Sequence, residues 1–320
     1  MPPIKIAIFG ARGWIGQQIV QEIVSKSEQF QIIVPTIRAD HVADLHAFLD
    51  AEKPDRVLSV IGRTRGPGIP TIDYLEDTEP KSHEKLTLNL RDNLFAPLTL
   101  ALACSARGIH FTYLGTGCIF TYQDPDQTIF SEEDDPNFFG SGYSVVKGYT
   151  DRLMRQLPDV LQLRIRMPLT ADNSPYNFIT KITGYAKICS IENSMSVLPT
   201  LLPLVVDMIQ NKTTGTINLT NPGTISHDTV LSLYKKWVDP AFEWSNFTQE
   251  EQDAVLLSKR SNNHLDTDKL RALYPAVLNI EDAVTQCLLG LALKKAPRAA
   301  PTRSPSPPPT SFPHSRPGTI

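Results

Sequence analysis

Cysteine is scarce in this chain of 320 residues: Cys104, Cys118, Cys189 and Cys287 stand apart, and no two form a CxxC pair. The seven histidines make no HExxH or HxH cluster. Both absences argue against a disulfide framework and against a metal site, which need partners at set spacings. Positive charge is also in short supply, since residues 1–295 hold 28 basic against 34 acidic side chains. Such a body lacks the basic footprint of a nucleic-acid binder. No apolar run approaches the roughly 20 residues that span a bilayer. The opening MPPIKIAIFG has none of the charged, apolar and small-residue regions of a secretory signal. The expectation is a cytoplasmic protein with neither a nucleic-acid nor a membrane partner.

What is present is a core-forming composition, 41% hydrophobic and 20% charged. The length suits one large domain or two interlocked ones. Residues 296–320 hold eight of the 26 prolines with Ser304-Pro305 and Ser306-Pro307, and read as a disordered Pro/Ser-rich tail. Before it, apolar periodicity alternates. Strands are expected at Ile4–Phe9, Gln31–Pro35, Val57–Ile61, Ile109–Leu114 and Leu161–Arg166. Helices are expected at Trp14–Ser25, Asp40–Ala51, Glu84–Arg107 and Ser141–Leu157. That order implies an α/β fold, a doubly wound parallel sheet of Rossmann type over 1–166. Residues 167–295 would form a smaller substrate-binding part, with a strand near 216–220 returning to the sheet.

The first strand runs into Gly10-Ala-Arg12-Gly13-Trp14-Ile15-Gly16, a GxxGxxG loop opening a helix. Such a loop turns tightly and brings backbone amides to a pyrophosphate at a positive helix end. Trp14 beside Gly13 reads as packing. The second strand ends without the acid that would bind an NAD ribose, and Arg12 and Arg38 are placed to meet a 2′-phosphate instead. The cofactor expectation is therefore NADPH, with NADH as the alternative.

Gly140-Ser-Gly-Tyr143-Ser-Val-Val-Lys147 contains YxxxK, which puts both side chains on one helix face. A nearby ammonium favours a phenolate, making tyrosine a usable proton donor to a carbonyl. With nine tyrosines in the chain such a spacing arises easily by chance; its place after the fourth strand, which ends at Thr116, is the signal. Together with the glycine loop it resembles the extended short-chain dehydrogenase/reductases. Thr116-Gly-Cys118-Ile-Phe, Arg166-Met-Pro, Asn177-Phe-Ile-Thr-Lys181-Ile-Thr, Asn221-Pro-Gly-Thr-Ile-Ser-His and Arg260-Ser-Asn262-Asn263-His-Leu-Asp narrow the likeness. Over about residues 4–290 they resemble the bifunctional UDP-4-keto-6-deoxyglucose 3,5-epimerase/4-reductases.

The resemblance implies a UDP-sugar substrate and assigns Cys118 and Lys181 as the acid–base pair of epimerisation. Thr116 and Tyr143 would stabilise the carbonyl oxygen, and Tyr143 would then protonate it, with Lys147 holding the nicotinamide ribose. Asn177 would bind the diphosphate or cap its helix, and Arg260, Asn262 and Asn263 would contact the substrate. A separate 4,6-dehydratase would supply the keto sugar, and the long helices suggest a homodimer. Departures lie at Val60-Ile-Gly62-Arg-Thr64, where Gly62 stands near the cofactor, and in the longer loop 65–71. A reductase without epimerase activity would need neither Cys118 nor Lys181. A non-catalytic dinucleotide-binding subunit would need neither Tyr143 nor Lys147.

Overall fold

A computed structural model of the chain describes residues 2–26, 28–79, 82–123 and 128–295. The Pro/Ser-rich tail at 296–320 lies outside them. Six strands, β1 (Ile4–Phe9), β2 (Phe30–Ile33), β3 (Arg56–Ser59), β4 (His110–Thr116), β6 (Val160–Ile165) and β7 (Gly215–Asn218), form one parallel sheet. A short parallel pair, β5 (Ile129–Phe130) with β8 (His264–Leu265), stands apart. The main order is β2-β1-β3-β4-β6-β7, so the chain reverses direction across the sheet between β1 and β3. Ligands of open α/β sheets bind at that reversal, beyond the carboxyl ends of the strands. β7 pairs with β6 as the edge strand, Leu163 opposite Ile217.

The sheet is covered on both faces, which accounts for strands that read as unbroken apolar runs. On one face α1 (Trp14–Val24) and α7 (Leu198–Gln210) bury Ile19, Ile23, Leu201 and Val205 against β1 and β6. On the other, α2 (Val42–Glu52), α4 (Ala96–Ser105) and α5 (Gly142–Met154) enclose Leu45, Leu49, Leu100 and Met154. A separate core joins α6 (Phe178–Thr183), α8 (His227–Trp237) and α11 (Ile280–Lys295) through Ile182, Leu231 and Leu288. Two shorter helices, α9 (Gln249–Val255) and α10 (Asp268–Leu273), complete the chain order. No helix among the described residues is long and apolar enough to cross a membrane.

One helix differs from its expected form, and the reason is proline. The single helix expected over 84–107 is α3 (Glu84–Leu90), a π-turn (Arg91–Phe95) and α4. Pro97 has no N–H to give the Asn93 carbonyl four residues back, and its ring crowds that carbonyl. The wider turn relieves the clash, and the Thr150 hydroxyl of α5 donates to the Asn93 carbonyl at 2.8 Å. α7 carries two prolines without a break: Pro199 occupies its first turn and Pro203 sits inside it.

Candidate active site

The glycine loop is built to bring backbone, not side chain, to a ligand. Gly10 has φ +87°, and a Cβ there would lie 2.9 Å from the Val60 side chain. A Cβ on Gly16 would lie 2.2 Å from the Gly10 carbonyl oxygen, so α1 packs directly on the loop. The Gly13 N–H closes the turn onto the Gly10 carbonyl at 2.9 Å. Gly13 caps α1 without a side chain, which leaves the first-turn amides near Trp14 and Ile15 for an anion. This cradle fits a dinucleotide pyrophosphate. The Trp14 ring turns toward Tyr176, 6.4 Å between centroids. Arg12 is exposed, and its carbonyl accepts from Gln17 at 3.1 Å.

Arg38 is not a lone surface arginine. It pairs with Asp40 at 2.9 Å and lies 3.8 Å from Asp92. Asp92 in turn holds Arg63 at 2.5 Å and Arg91 at 2.8 Å. Burial works to raise both carboxyls, and the arginine hydrogen bonds outweigh it, so both sit below the ordinary value. Three guanidinium groups against two carboxylates leave one positive charge in excess beyond β2 and β3. The pairing partners Arg63, Arg91 and Asp92 had no sequence signal beyond their charge. Asn93, on the π-turn, grips the backbone of Arg63 at both its N–H (2.8 Å) and its carbonyl (2.9 Å). The exposed Gly62 stands beside it, where an added Cβ would come 3.3 Å from the Asn93 amide oxygen.

Thr116, Cys118, Tyr143 and Lys147 come together where β4 ends against α5. The Thr116 hydroxyl accepts the Cys118 N–H at 3.0 Å. Ser141 caps α5 by accepting from the Ser144 N–H, and the Ser144 hydroxyl donates to the Cys118 carbonyl at 2.7 Å. The helix start is thereby tied to the cysteine turn. Glu76 receives the Gly142 N–H at 2.8 Å. Cys118 packs beside Tyr143 with Tyr74 and Leu75. Burial, and then the neighbouring Cys118, push the Tyr143 phenol up, while Thr116 pulls it down. Lys147 is buried and lowered to about 8 by that burial, with Asp151 and Cys118 opposing. Its hydrogen bond goes to the phenol of Tyr113 on β4, a residue the sequence reading passed over.

The turn carrying Cys118 is braced from below. Arg166, wholly buried, donates to the carbonyls of Gly117 (3.3 Å), Ser194 (3.3 Å) and Ser261 (3.0 Å), and to the Asn193 amide oxygen at 2.6 Å. Asn263 belongs to the same brace, its amide donating to Gly117 and Phe120 carbonyls at 2.9 Å each. This corrects the expectation of a substrate contact for Asn263, because its donors are spent inside.

Of the two readings of Asn177, the structure shows the helix cap. Its side chain accepts from the Thr170 and Ile179 N–H groups and donates to the Thr170 and Asp172 carbonyls. With both donors bound and the residue fully buried, it caps α6 and has no donor left for a diphosphate. Lys181 lies one turn along α6, half-buried, and is lowered first by burial and then by the Arg65 cation. Arg65, from the departing loop, stacks on Tyr176 at 3.4 Å. Arg260 pairs with Asp73 at 2.6 Å. Asn262 bonds Gln249 at 3.2 Å and Asn193 at 2.9 Å.

Comparison with known proteins adds independent observations. The model of the NAD dependent epimerase/dehydratase family matches residues 6–165. A protein of Acanthamoeba polyphaga mimivirus is 50% identical over 281 residues, covering 87% of this chain and 95% of its own. The crystal structure of a UDP-rhamnose synthase from the same virus superposes with a TM-score of 0.86 at 48% identity, covering 90% of this chain and 99% of that one. A bifunctional dTDP-4-dehydrorhamnose 3,5-epimerase/reductase of Arabidopsis thaliana is 38% identical, over 87% of this chain and 90% of its own. A trifunctional Arabidopsis UDP-glucose 4,6-dehydratase/3,5-epimerase/4-keto-rhamnose reductase is also 38% identical, over 88% of this chain but only 41% of its own length. With a family model across half its length and such relatives across most of it, this chain belongs to the NAD dependent epimerase/dehydratase family, the extended short-chain reductases.

Proposed function

We propose that the protein converts UDP-4-keto-6-deoxy-D-glucose to UDP-β-L-rhamnose, inverting C3 and C5 and then reducing the C4 ketone. The observation that carries this reading is the meeting of Thr116, Cys118, Tyr143 and Lys147 at the end of β4. The C3 and C5 hydrogens are acidic because the C4 ketone accepts the electrons as an enediolate. Inversion takes a proton from one face and returns one to the other. Cys118 and Lys181 serve as this pair. A lysine base must be a free amine, and burial with the Arg65 cation favours that form. The Thr116 and Tyr143 hydroxyls donate to the developing oxyanion. A phenol held protonated by its burial is suited to surrender its proton only when a C4 alkoxide forms.

NADPH supplies the hydride when bound. The first-turn amides from Trp14 to Gly16 would hold its pyrophosphate, Arg12 and Arg38 its 2′-phosphate, and Lys147 its nicotinamide ribose. Arg260 and Asn262 face the nucleotide sugar. A 4,6-dehydratase supplies the 4-keto sugar. The molecule pairs as a homodimer through the face of α3, α4 and α5, where Leu90, Phe95, Leu102, Tyr149 and Leu153 are exposed.

The test is incubation with UDP-4-keto-6-deoxyglucose in deuterated water, followed by NMR of the sugar. Deuterium is expected at C3 and C5 without NADPH, and UDP-rhamnose with it. Cys118→Ala should stop exchange while sparing reduction of the pre-epimerised sugar. Reduction without any exchange would reduce the assignment to a 4-keto reductase.

A further inference from the structure

Tyr113 takes no part in the chemistry above, yet it makes a contact with the reduction machinery that packing does not require. It lies on β4, three residues before Thr116, and is 1% exposed. Its ring fills the core face beneath α5 with Phe111 and Met154, which phenylalanine would do as well. A hydroxyl in such a place costs free energy unless it is bonded. Among the described residues its hydrogen-bond partner is the Lys147 ammonium, and Lys147 has no other.

The natural rival for that ammonium is Asp151, one turn further along α5. Asp151 is already committed: Arg164 on β6 grips both its oxygens at 2.8 Å, and Gln162 bonds one of them. The other titratable groups around Lys147 are Tyr143 on its own helix, one turn back, and Cys118 on the turn after β4, which draws the ammonium electrostatically without a hydrogen bond. Among the described residues Tyr113 is therefore the acceptor that the Lys147 ammonium meets. Its own proton is held firmly by burial, so it stays a neutral phenol with a lone pair for the lysine.

We propose that Tyr113 is a positioning residue for Lys147: its phenol fixes the ammonium on the floor of the site and so sets the pH range over which reduction runs. The proposal rests on the reading that Tyr143 and Lys147 serve C4 reduction. Removing the acceptor removes a hydrogen bond to the charged form, which makes the ammonium easier to deprotonate. Reduction should then fail at lower pH, because the neutral amine neither holds the ribose as a cation nor stabilises the Tyr143 phenolate.

The experiment is kcat and KM for NADPH-dependent reduction of UDP-4-keto-rhamnose from pH 6 to 9.5, on the full chain and on Tyr113→Phe. Deuterium exchange at C3 and C5 without NADPH is measured alongside. The expected result is an alkaline limb moved down by about one pH unit, hence roughly tenfold lower kcat near pH 9 and little change at pH 6.5. Exchange should stay within about twofold. Tyr113→His, which restores a ring acceptor, should recover part of the limb. An unmoved limb overturns the proposal. So does an equal loss of exchange and reduction at every pH, in either variant, since that is the mark of packing alone. Failure of the unsubstituted chain to reduce the sugar overturns the functional reading, and this proposal with it.

Discussion

Lys147 shows how a single side chain can weaken a fold that needs it. In the folded protein it loses its proton near pH 8; in the unfolded chain it does so near 10.5. Below pH 8 both states hold the proton and the full cost of burying the ammonium is felt. Between 8 and 10.5 the unfolded chain holds more protons, so stability attributable to this residue rises with pH. Lys147→Met is expected to stabilise the protein at pH 7 by up to about 3 kcal/mol. The gain should shrink toward pH 10, as urea unfolding at the two pH values would show. The same variant should lose C4 reduction.

At this scale the sequence was informative where chemistry and spacing coincide, and silent where only direction matters. Tyr143 and Lys147 stand one helical turn apart, and the structure places them on α5 at the end of β4. Asn177 and Asn263 are polar residues in loop-like stretches, and nothing in their neighbours' identities says that both side chains turn inward. Arg63 and Asp92, 29 positions apart, meet only because the sheet brings the loop after β3 against the π-turn.

Among elements, the π-turn has the clearest function in the architecture. Pro97 was visible within the helix expected over 84–107, but apolar periodicity runs through it and hides the break. What the break achieves is tertiary: it aims Asn93 at the backbone of Arg63 and frees a carbonyl that α5 satisfies. Thr150→Val should leave the Asn93 carbonyl buried without a partner. The expected cost is about 1–3 kcal/mol in thermal or denaturant unfolding. Such a loss would be greater than a surface threonine substitution gives. The remaining strands and helices follow their apolar patterns to within a few residues, because each buries a continuous face. The β5–β8 pair escaped notice because two residues are too few to show a period.

For the molecule as a whole, the exposed apolar face of α3, α4 and α5 makes a concrete prediction. Leu102 on α4 and Tyr149 on α5 are both more than half exposed. A charge there should be harmless to a monomer and disruptive to a pair. Leu102→Glu is expected to convert a dimer to a monomer in light scattering after gel filtration, with the circular dichroism spectrum retained. The parallel sheet and its reversal point were legible from the alternation of strand and helix, since right-handed crossovers leave few alternatives. The contacts beyond β6 were not, because the loops at 193–194 and 261–263 reach the Cys118 turn through the buried side chains of Arg166 and Asn263, which no spacing reveals.

That arginine has a further consequence. Its guanidinium is buried among carbonyls, a hydroxyl and an amide, and among the described residues no carboxylate pairs with it. Lifting the Cys118 turn would take the Gly117 carbonyl from both Arg166 and Asn263, so that turn is held as firmly as the core beneath it. If Cys118 acts as proposed, its thiol is a fixed point, and the substrate has to come to it.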